Sequence, residues 1–110
     1  MEINKNILIG YAGDDPAVVI FPDGGKKVSF SLAVKPPYKS DEPIWYEIVL
    51  WRKAANIGEM LVKKGKLVGI SGSLLMNIWQ DKKSGVARSK PLITGESVMV
   101  MNEPIEGEEF

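Results

Sequence analysis

The sequence predicts an all-β fold: a small barrel of five strands with one α-helix between the third and the fourth strand. Three observations predict it. Segments rich in β-branched and aromatic residues recur along the chain, glycine- and proline-rich turns separate them, and a single segment has helical spacing. The chain has 110 residues, which suits one domain with one core.

The first two strands lie in the N-terminal third of the chain. Asn6 to Tyr11 form the first strand, which Ala12 to Pro16 interrupt with a turn or bulge before Ala17 to Phe21 continue it. Pro22 to Gly25 predict a hairpin turn. Val28 to Val34 then alternate, so that the large apolar side chains face a core and the small residues between them face outward.

The third strand, Ile44 to Arg52, carries two tryptophans. Side chains alternate along a strand, so Trp45 and Trp51 share one face, and the other face is formed by Tyr46, Ile48 and Leu50. Both faces are largely apolar, and two interpretations stay open. The strand is either buried on both faces or covered by a partner subunit, or its tryptophans stack successive bases of a single nucleic-acid strand.

The loop before this strand contains three prolines, and within it Tyr38 lies between Lys35 and Lys39. A ring flanked by cations is a candidate stacking site, although an ordinary loop tyrosine looks the same in sequence. After the third strand, Lys53 to Lys64 have helical spacing, with lysines in the expected last turn and Gly65 as the expected C-terminal cap.

The last two strands flank a basic hairpin loop. Leu67 to Trp79 form the fourth strand, and Leu92 to Met101 form the fifth, with a bulge expected at Gly95. The loop between them, Gln80 to Lys90, is rich in cations and has Trp79 at its base. Five strands with one helix between the third and the fourth match the partly open Greek-key barrel of the OB-fold.

Composition excludes several classes of enzyme. The chain has no cysteine and no histidine, so it has no disulfide, no thiolate and no histidine-based nucleophile, and the common zinc sites are disfavoured. We therefore expect no catalysis, no metal and no other cofactor. Neither an apolar run of 18 residues nor a signal sequence is visible. We expect a cytoplasmic, nucleoid-associated protein without a membrane partner.

The charges are unevenly distributed. Net charge is zero, which argues against a strong polyanion binder. However, residues 1–102 carry all 14 Lys and Arg and 10 of the 14 Asp and Glu, and residues 103–110 hold the other four acids. We expect a mildly basic domain over 1–102 and a short acidic tail over 103–110, an asymmetry that indicates nucleic-acid contact or only aids solubility.

Short segments along the chain occur together in a known order. They are Asn4-x-x-Ile7-Leu8-Ile9-Gly10, Gly13-x-Asp15-Pro16-x-Val18, Pro22-x-Gly24, Phe30-x-Leu32-Ala33, Trp45-x-x-x-Val49-x-Trp51, Leu61-x-Lys63-Lys64-Gly65, Ile70-x-Gly72-x-Leu74 and Trp79-x-Asp81. By this ordered set the chain resembles the bacterial-type single-stranded DNA-binding proteins. The resemblance covers residue 4 to about residue 101.

The resemblance implies sequence-tolerant binding of single-stranded DNA, as in replication, recombination and repair, by a homotetramer or homodimer. Implied base-stacking residues are Tyr38, Trp45, Trp51 and Trp79. Phosphate contacts are expected from Lys5, Lys35, Lys39, Arg52, Lys53, Lys64, Lys82, Lys83 and Arg88. RNA is a variant of the same hypothesis, because stacking does not distinguish ribose from deoxyribose.

Some positions depart from the family pattern. Met76-Asn77-Ile78 and Glu47 stand where the family commonly carries basic residues, and the chain ends in Glu108-Glu109-Phe110, a loose match to the family's partner-docking tip. We expect this ending to recruit DNA-maintenance proteins, so that its deletion weakens such binding. The alternative function is an oligomeric OB-fold interaction module with weak nucleic-acid binding.

Overall fold

The structure, a computed structural model, describes residues 2–101, which form six strands and one helix. In chain order these are β1 (Asn6–Ala12), β2 (Ala17–Ile20), β3 (Lys26–Val34), β4 (Ile44–Trp51), α1 (Arg52–Leu61), β5 (Leu67–Gln80) and β6 (Ala87–Met101). β1 and β2 are the two parts of the interrupted first strand, so the predicted helix position, between the third and fourth predicted strands, is confirmed.

The strands close into a ring. Their order in the sheet is β1-β5-β6-β4-β3-β2, and a further pairing of Tyr11 with Ala33 and Ala12 with Leu32 joins β1 to β3. Five strands therefore form the barrel, and β2 extends it beyond β3. The β4–β6 pairing is parallel and runs only from Ile48 to Leu50 on β4. The predicted all-β barrel is confirmed, and its topology is that of the OB-fold.

The core lies inside this ring. The side chains that are fully buried are Val28, Leu32, Ile48, Leu50, Val62, Val68, Ile70 and Ile93. Burying each one stabilises the fold by roughly 1.5–3 kcal/mol. Helix α1 adds Ala54 and Ala55 to the core and packs against β3, β4 and β6. The predicted inward faces of the second and third strands are thus the faces that build the core.

A bulge bends the long β5–β6 pair. Ser71 pairs with Ser97 but Gly72 pairs with Gly95, so one residue of β6 is left over at the predicted bulge. The two backbones come so close there that a Cβ on Gly72 would lie 2.0 Å from the Thr94 carbonyl oxygen. Only glycine fits at this position, and the bulge lets the pair change direction from the barrel into a projecting hairpin.

The C-terminal end of the helix was predicted wrongly. Helix α1 ends at Leu61, and the cap is Val62, whose N–H donates to the Gly58 carbonyl at 2.9 Å. Val62 is extended and fully buried, so the core pulls the chain out of the helix before Lys63 and Lys64. Gly65 instead lies in the following turn, where its N–H donates to the Ala12 carbonyl at 2.8 Å.

The basic loop was also predicted too long. β5 and β6 stay paired out to Gln80 and Ala87, so the turn comprises only residues 81–86. Asp81 closes this turn by accepting the Lys83 N–H at 2.8 Å. Polar side chains made Ala87 to Lys90 resemble a loop, but the ladder bonds satisfy the backbone there while the side chains remain in solvent. We call residues 74–92 the finger.

Candidate nucleic-acid interface

Trp45, Trp51 and Trp79 are exposed on one side of the sheet. Their exposed fractions are 58%, 43% and 45%. Along β4 the tryptophans point away from the buried Ile48 and Leu50, as alternation requires. We call the side of the sheet that carries the three tryptophans the aromatic face. The interpretation that β4 is buried on both faces within this chain is therefore wrong for the two tryptophans, although Val49 between them is buried.

Strand pairing places Trp79 on the same side as the other two. Val49 of β4 is opposite Thr94 of β6, and Thr94 is opposite Ser73 of β5. Paired residues on neighbouring strands share a face, and every second residue along a strand repeats it. Counting along β5 from Ser73 then brings Trp79 to the aromatic face, directly opposite Arg88.

Two hollows lie beside the β4 tryptophans. One, of about 270 Å³, is bordered by Trp51 and Val49 and, across from them, by Leu75 and Leu92. We call it the Trp51 hollow. The other, of about 400 Å³, lies where β4 and the finger diverge, and Trp45, Tyr46 and Pro91 are among its lining residues. The second hollow is mostly apolar, whereas Lys27, Asn77 and Thr94 also line the Trp51 hollow. Both open to solvent beside an aromatic ring.

Each β4 tryptophan rests on a different support. The Phe21 ring lies parallel to the Trp51 indole, with the ring centroids 6.1 Å apart and the planes 16° apart. Trp45 instead lies over the backbone of Gly13, where an added Cβ would come within 2.4 Å of the indole Cζ3 atom. Gly13 is held in place because its N–H donates to the Ser31 carbonyl at 2.9 Å.

Three cations belong to the aromatic face. Lys27 is opposite Trp51, Arg88 is opposite Trp79, and Lys90 is opposite Asn77. Lys90 is paired with Glu47, with Nζ and Oε2 2.9 Å apart, and Arg88 lies near Asp81, with Nε and Oδ2 3.5 Å apart. Both pairs are partly exposed, so neither holds its cation strongly against a competing phosphate.

The remaining predicted residues are distributed around this face. Tyr38 is exposed in the loop before β4, and Lys35 and Lys39 line the same concavity of that loop. Arg52 and Lys53 follow Trp51 directly, and the Arg52 backbone is left-handed, with φ 55°. Lys82 and Lys83 lie exposed in the turn of the finger.

Lys5 and Lys64 have no described contact with the tryptophans. Lys5 precedes β1, and Lys64 lies in the turn before β5, where its backbone N–H donates to Asp15 Oδ1 at 3.0 Å. Within residues 2–101 no described contact joins either lysine to a tryptophan. The predicted tail residues Glu108, Glu109 and Phe110 lie outside the described residues.

Phe21 and Lys27 lie at the aromatic face but are not among the predicted site residues, and Lys90 was predicted only as one of the cations of the basic loop. Lys27 precedes Val28, and extending the alternation of the second strand by one residue would have placed it outward. Lys90 was assigned to a loop rather than to a strand. Phe21 carried no local signal, because its contact with Trp51 depends on how β2, β3 and β4 pair.

No metal site and no membrane helix accompany the aromatic face in the part of the chain that the structure describes. Residues 2–101 contain no group of three acidic or other metal-ligating side chains arranged to hold an ion. Helix α1, with 10 residues, is too short to cross a bilayer, and no other described helix could do so.

Comparison with known proteins agrees with this arrangement. The single-strand binding protein family matches residues 3–101. The chain belongs to this family. The match covers every strand and the helix, and therefore all three tryptophans of the aromatic face.

Relatives within the family extend over most of the chain. Single-stranded DNA-binding protein 2 of a Nostoc species is 37% identical over 102 residues, covering 93% of this chain and 80% of the relative. The single-stranded DNA-binding protein of Thermosynechococcus vestitus is 40% identical over 102 residues, covering 93% and 85%. Single-stranded DNA-binding protein 1 of a Synechocystis species is 43% identical over 95 residues, covering 84% and 78%.

Proposed function

We propose that this chain binds single-stranded DNA without strong sequence preference. Bases stack on the indole rings of Trp45, Trp51 and Trp79 and on Tyr38, and every base can stack because each has a π-face. The observation that carries the proposal is the exposure of three tryptophans, each at least 43% exposed, on one side of one sheet. Large rings at a solvent-facing surface need a partner, and unpaired bases fit them in shape and in chemistry.

Phosphates are drawn by the cations around these rings. Lys27, Arg52 and Lys53 border Trp51, Arg88 and the finger lysines border Trp79, and two further lysines flank Tyr38. A strand that stacks on Trp51, Trp79 and Tyr38 therefore passes a cation near each of these three rings. Contacts of this kind release counterions and make the affinity fall with salt.

The biological role that we propose is protection of exposed single strands during replication, recombination and repair. The support is membership of the single-strand binding protein family and similarity to relatives that are named single-stranded DNA-binding proteins, such as that of Thermosynechococcus vestitus. RNA remains a second ligand of the same surface, because neither stacking nor phosphate contact requires a deoxyribose.

Titration with oligo(dT) of increasing length, followed by tryptophan emission, tests the proposal. Stacking of bases on indoles quenches their emission, so we expect saturable quenching at low salt that weakens as salt is raised. Duplex DNA of the same length is the control, because its bases are already stacked and unavailable. Absence of quenching by oligo(dT) at low salt would contradict the proposal.

A second candidate function is an oligomeric interaction module with weak nucleic-acid binding. It is favoured by Ile7 and Ile9 on β1 and Met99 on β6, which are exposed together around an apolar cavity of about 170 Å³. We propose that this side mediates assembly into a homotetramer or a homodimer in either case. Sedimentation at several protein concentrations measures the assembly, and a gel-shift titration of oligo(dT) against salt separates the two functions.

A further inference from the structure

Phe21 and Trp51 form the one stacked aromatic pair found among the described residues. Their centroid separation of 6.1 Å and interplanar angle of 16° fit offset stacking. Both rings are partly exposed, so they are not part of the barrel core. The pair joins the turn between β2 and β3 to the end of β4.

The backbone of Phe21 is firmly held. Its N–H donates to the Gly25 carbonyl at 2.8 Å, and its carbonyl accepts the Gly24 N–H at 2.9 Å. Asp23 closes the same turn by accepting the Gly25 N–H at 2.8 Å. The ring therefore projects from a fixed point, and the indole that it contacts loses rotational freedom before any ligand arrives.

The two sides of the Trp51 indole differ. β2 and β6 lie on opposite sides of β4 in the sheet. Phe21 stacks on Trp51 from the end of β2, whereas most of the residues that line the Trp51 hollow belong to β5 and β6. Leu75 and Leu92 give the hollow an apolar wall, Lys27, Asn77 and Thr94 add polar groups, and Phe21 does not line it. The indole thus contacts Phe21 outside the hollow and adjoins, within it, a space open to a flat ligand.

We infer that Phe21 is a positioning residue that supports Trp51 from behind and directs the incoming base to the Trp51 hollow. The inference rests on the proposed function. Phe21, Trp51 and the base form a stack of three rings, with the base seated between the indole and the apolar wall of Leu75 and Leu92. Because Phe21 fixes the indole in advance, less conformational freedom is lost when the base binds.

Substitution of Phe21 tests the inference through affinity for oligo(dT), measured by anisotropy of a labelled strand. Aromatic pairs contribute enough that Phe21→Ala is expected to weaken binding about three- to tenfold. Phe21→Tyr keeps a ring and is expected to bind like the wild type. Phe21→Leu keeps apolar volume without a ring and is expected to bind like Phe21→Ala, so it replaces that variant if alanine prevents folding.

Ile20→Ala is the matched control. Ile20 precedes Phe21, is exposed, and pairs with Lys26 rather than with Lys27, so alternation points it away from the aromatic face. We expect unchanged affinity in this variant. Melting temperatures of all variants are measured alongside, because a purely structural role for Phe21 would lower the melting temperature and leave the affinity unchanged, which would overturn the inference.

A double-mutant cycle with Trp51→Ala separates this inference from the proposed function. If Phe21 acts through the indole, adding Phe21→Ala to Trp51→Ala has no further effect on affinity. An equal loss in both backgrounds overturns the inference. If Trp51→Ala alone leaves binding unchanged, the proposed stacking on Trp51 is wrong. If Trp51→Ala weakens binding but Phe21→Ala does not, only the role of Phe21 is overturned.

Discussion

The two ends of β4 each present a tryptophan to solvent, yet their surroundings differ in support and in charge. Trp51 is backed by the Phe21 ring and has Lys27, Arg52 and Lys53 beside it. Trp45 is backed by the Gly13 main chain. The aromatic face is therefore not uniform, and the end at Trp51 combines a fixed ring with nearby cations.

The charges around Trp45 are of mixed sign. Asp14, Glu47 and Lys90 line a cavity of about 250 Å³ beside Trp45, and Asp14 Oδ1 accepts the Ser31 N–H at 2.9 Å. Two carboxylates here oppose a phosphate backbone, and the one cation is paired with Glu47. The area of ring available for stacking therefore does not by itself determine how much each end of β4 contributes to DNA affinity. The cations that attract phosphates are concentrated at Trp51.

Trp51→Ala is expected to have the largest effect on DNA affinity. It removes the supported ring, and stacking is worth about 1–3 kcal/mol per base, so affinity for oligo(dT) falls by roughly tenfold or more. Trp45→Ala removes a ring of the same size from the less basic end, and we expect a smaller loss. Anisotropy titrations of both variants at one salt concentration measure the difference. Equal losses would show that the two ends contribute alike.

Glu47→Gln is expected to strengthen DNA binding at the Trp45 end of β4, and so to reduce the difference in affinity contribution between the two ends. The substitution removes a carboxylate from the aromatic face and releases Lys90 from its ion pair. Unit charges 4 Å apart interact by roughly 1 kcal/mol in water, so affinity rises by up to about fivefold at low salt. If Lys90 then contacts one phosphate, the slope of log affinity against log salt steepens by about 0.7.

Lys90→Gln in the same Glu47→Gln background is the control for that prediction. Without the Lys90 cation, the gain in affinity caused by Glu47→Gln should be smaller. Only the part that comes from removing the carboxylate should remain. An unchanged affinity in Glu47→Gln alone would mean that the bound DNA strand does not pass the Trp45 end of β4. The difference between the two ends would then follow from the route of the DNA and not from the charges.

Arg52→Gly is expected to affect stability and binding in opposite directions. Arg52 has φ 55°, a left-handed conformation that costs a non-glycine residue roughly 1–2 kcal/mol. Glycine relieves this cost but loses more entropy on folding, about 0.5–1 kcal/mol. We expect a melting temperature raised by a few degrees, together with about twofold weaker DNA binding from the lost cation. Lys53→Gln is the control, since it removes a neighbouring charge from an ordinary helical position.

The two ends of β4 also show how far the sequence could predict this site. Alternation is a local property, and it placed Trp45 and Trp51 opposite Ile48 and Leu50 correctly, because the side-chain period of a strand does not depend on its partners. The succession of strands along the chain, with the helix between the third and fourth predicted strands, was likewise visible as a pattern. The supports of the tryptophans were not, since Gly13 and Phe21 reach them only through strand pairing.

Errors at the helix end and in the finger have the same origin. Helical spacing continued through Lys64, but burial of Val62 in the core ends the helix at Leu61. The composition of residues 87–90 indicated a loop, but pairing with β5 extends β6 through them. In both places tertiary contacts decide the backbone, and single-sequence patterns report only local preference.

Gly13→Ala is expected to have the smallest effect, and it addresses the support of Trp45. An added Cβ would lie 2.4 Å from the indole Cζ3 atom, so the indole must move. Because Trp45 is 58% exposed, it can swing outward into solvent without disturbing the core. We expect an unchanged melting temperature and at most about a twofold loss of affinity, which is less than the loss of a whole stacked base would cause.

Iodide quenching detects that movement. In a chain carrying Trp51→Phe and Trp79→Phe, Trp45 is the only tryptophan, and Gly13→Ala should make its emission more accessible to iodide. Gly24→Ala is a poor comparison because its φ is 90°, so the reference is the chain that carries Trp51→Phe and Trp79→Phe and keeps Gly13. If Gly13→Ala instead lowered affinity as much as Trp51→Ala, the main-chain support of Trp45 would matter as much as the ring behind Trp51, and both ends of β4 would require a fixed indole.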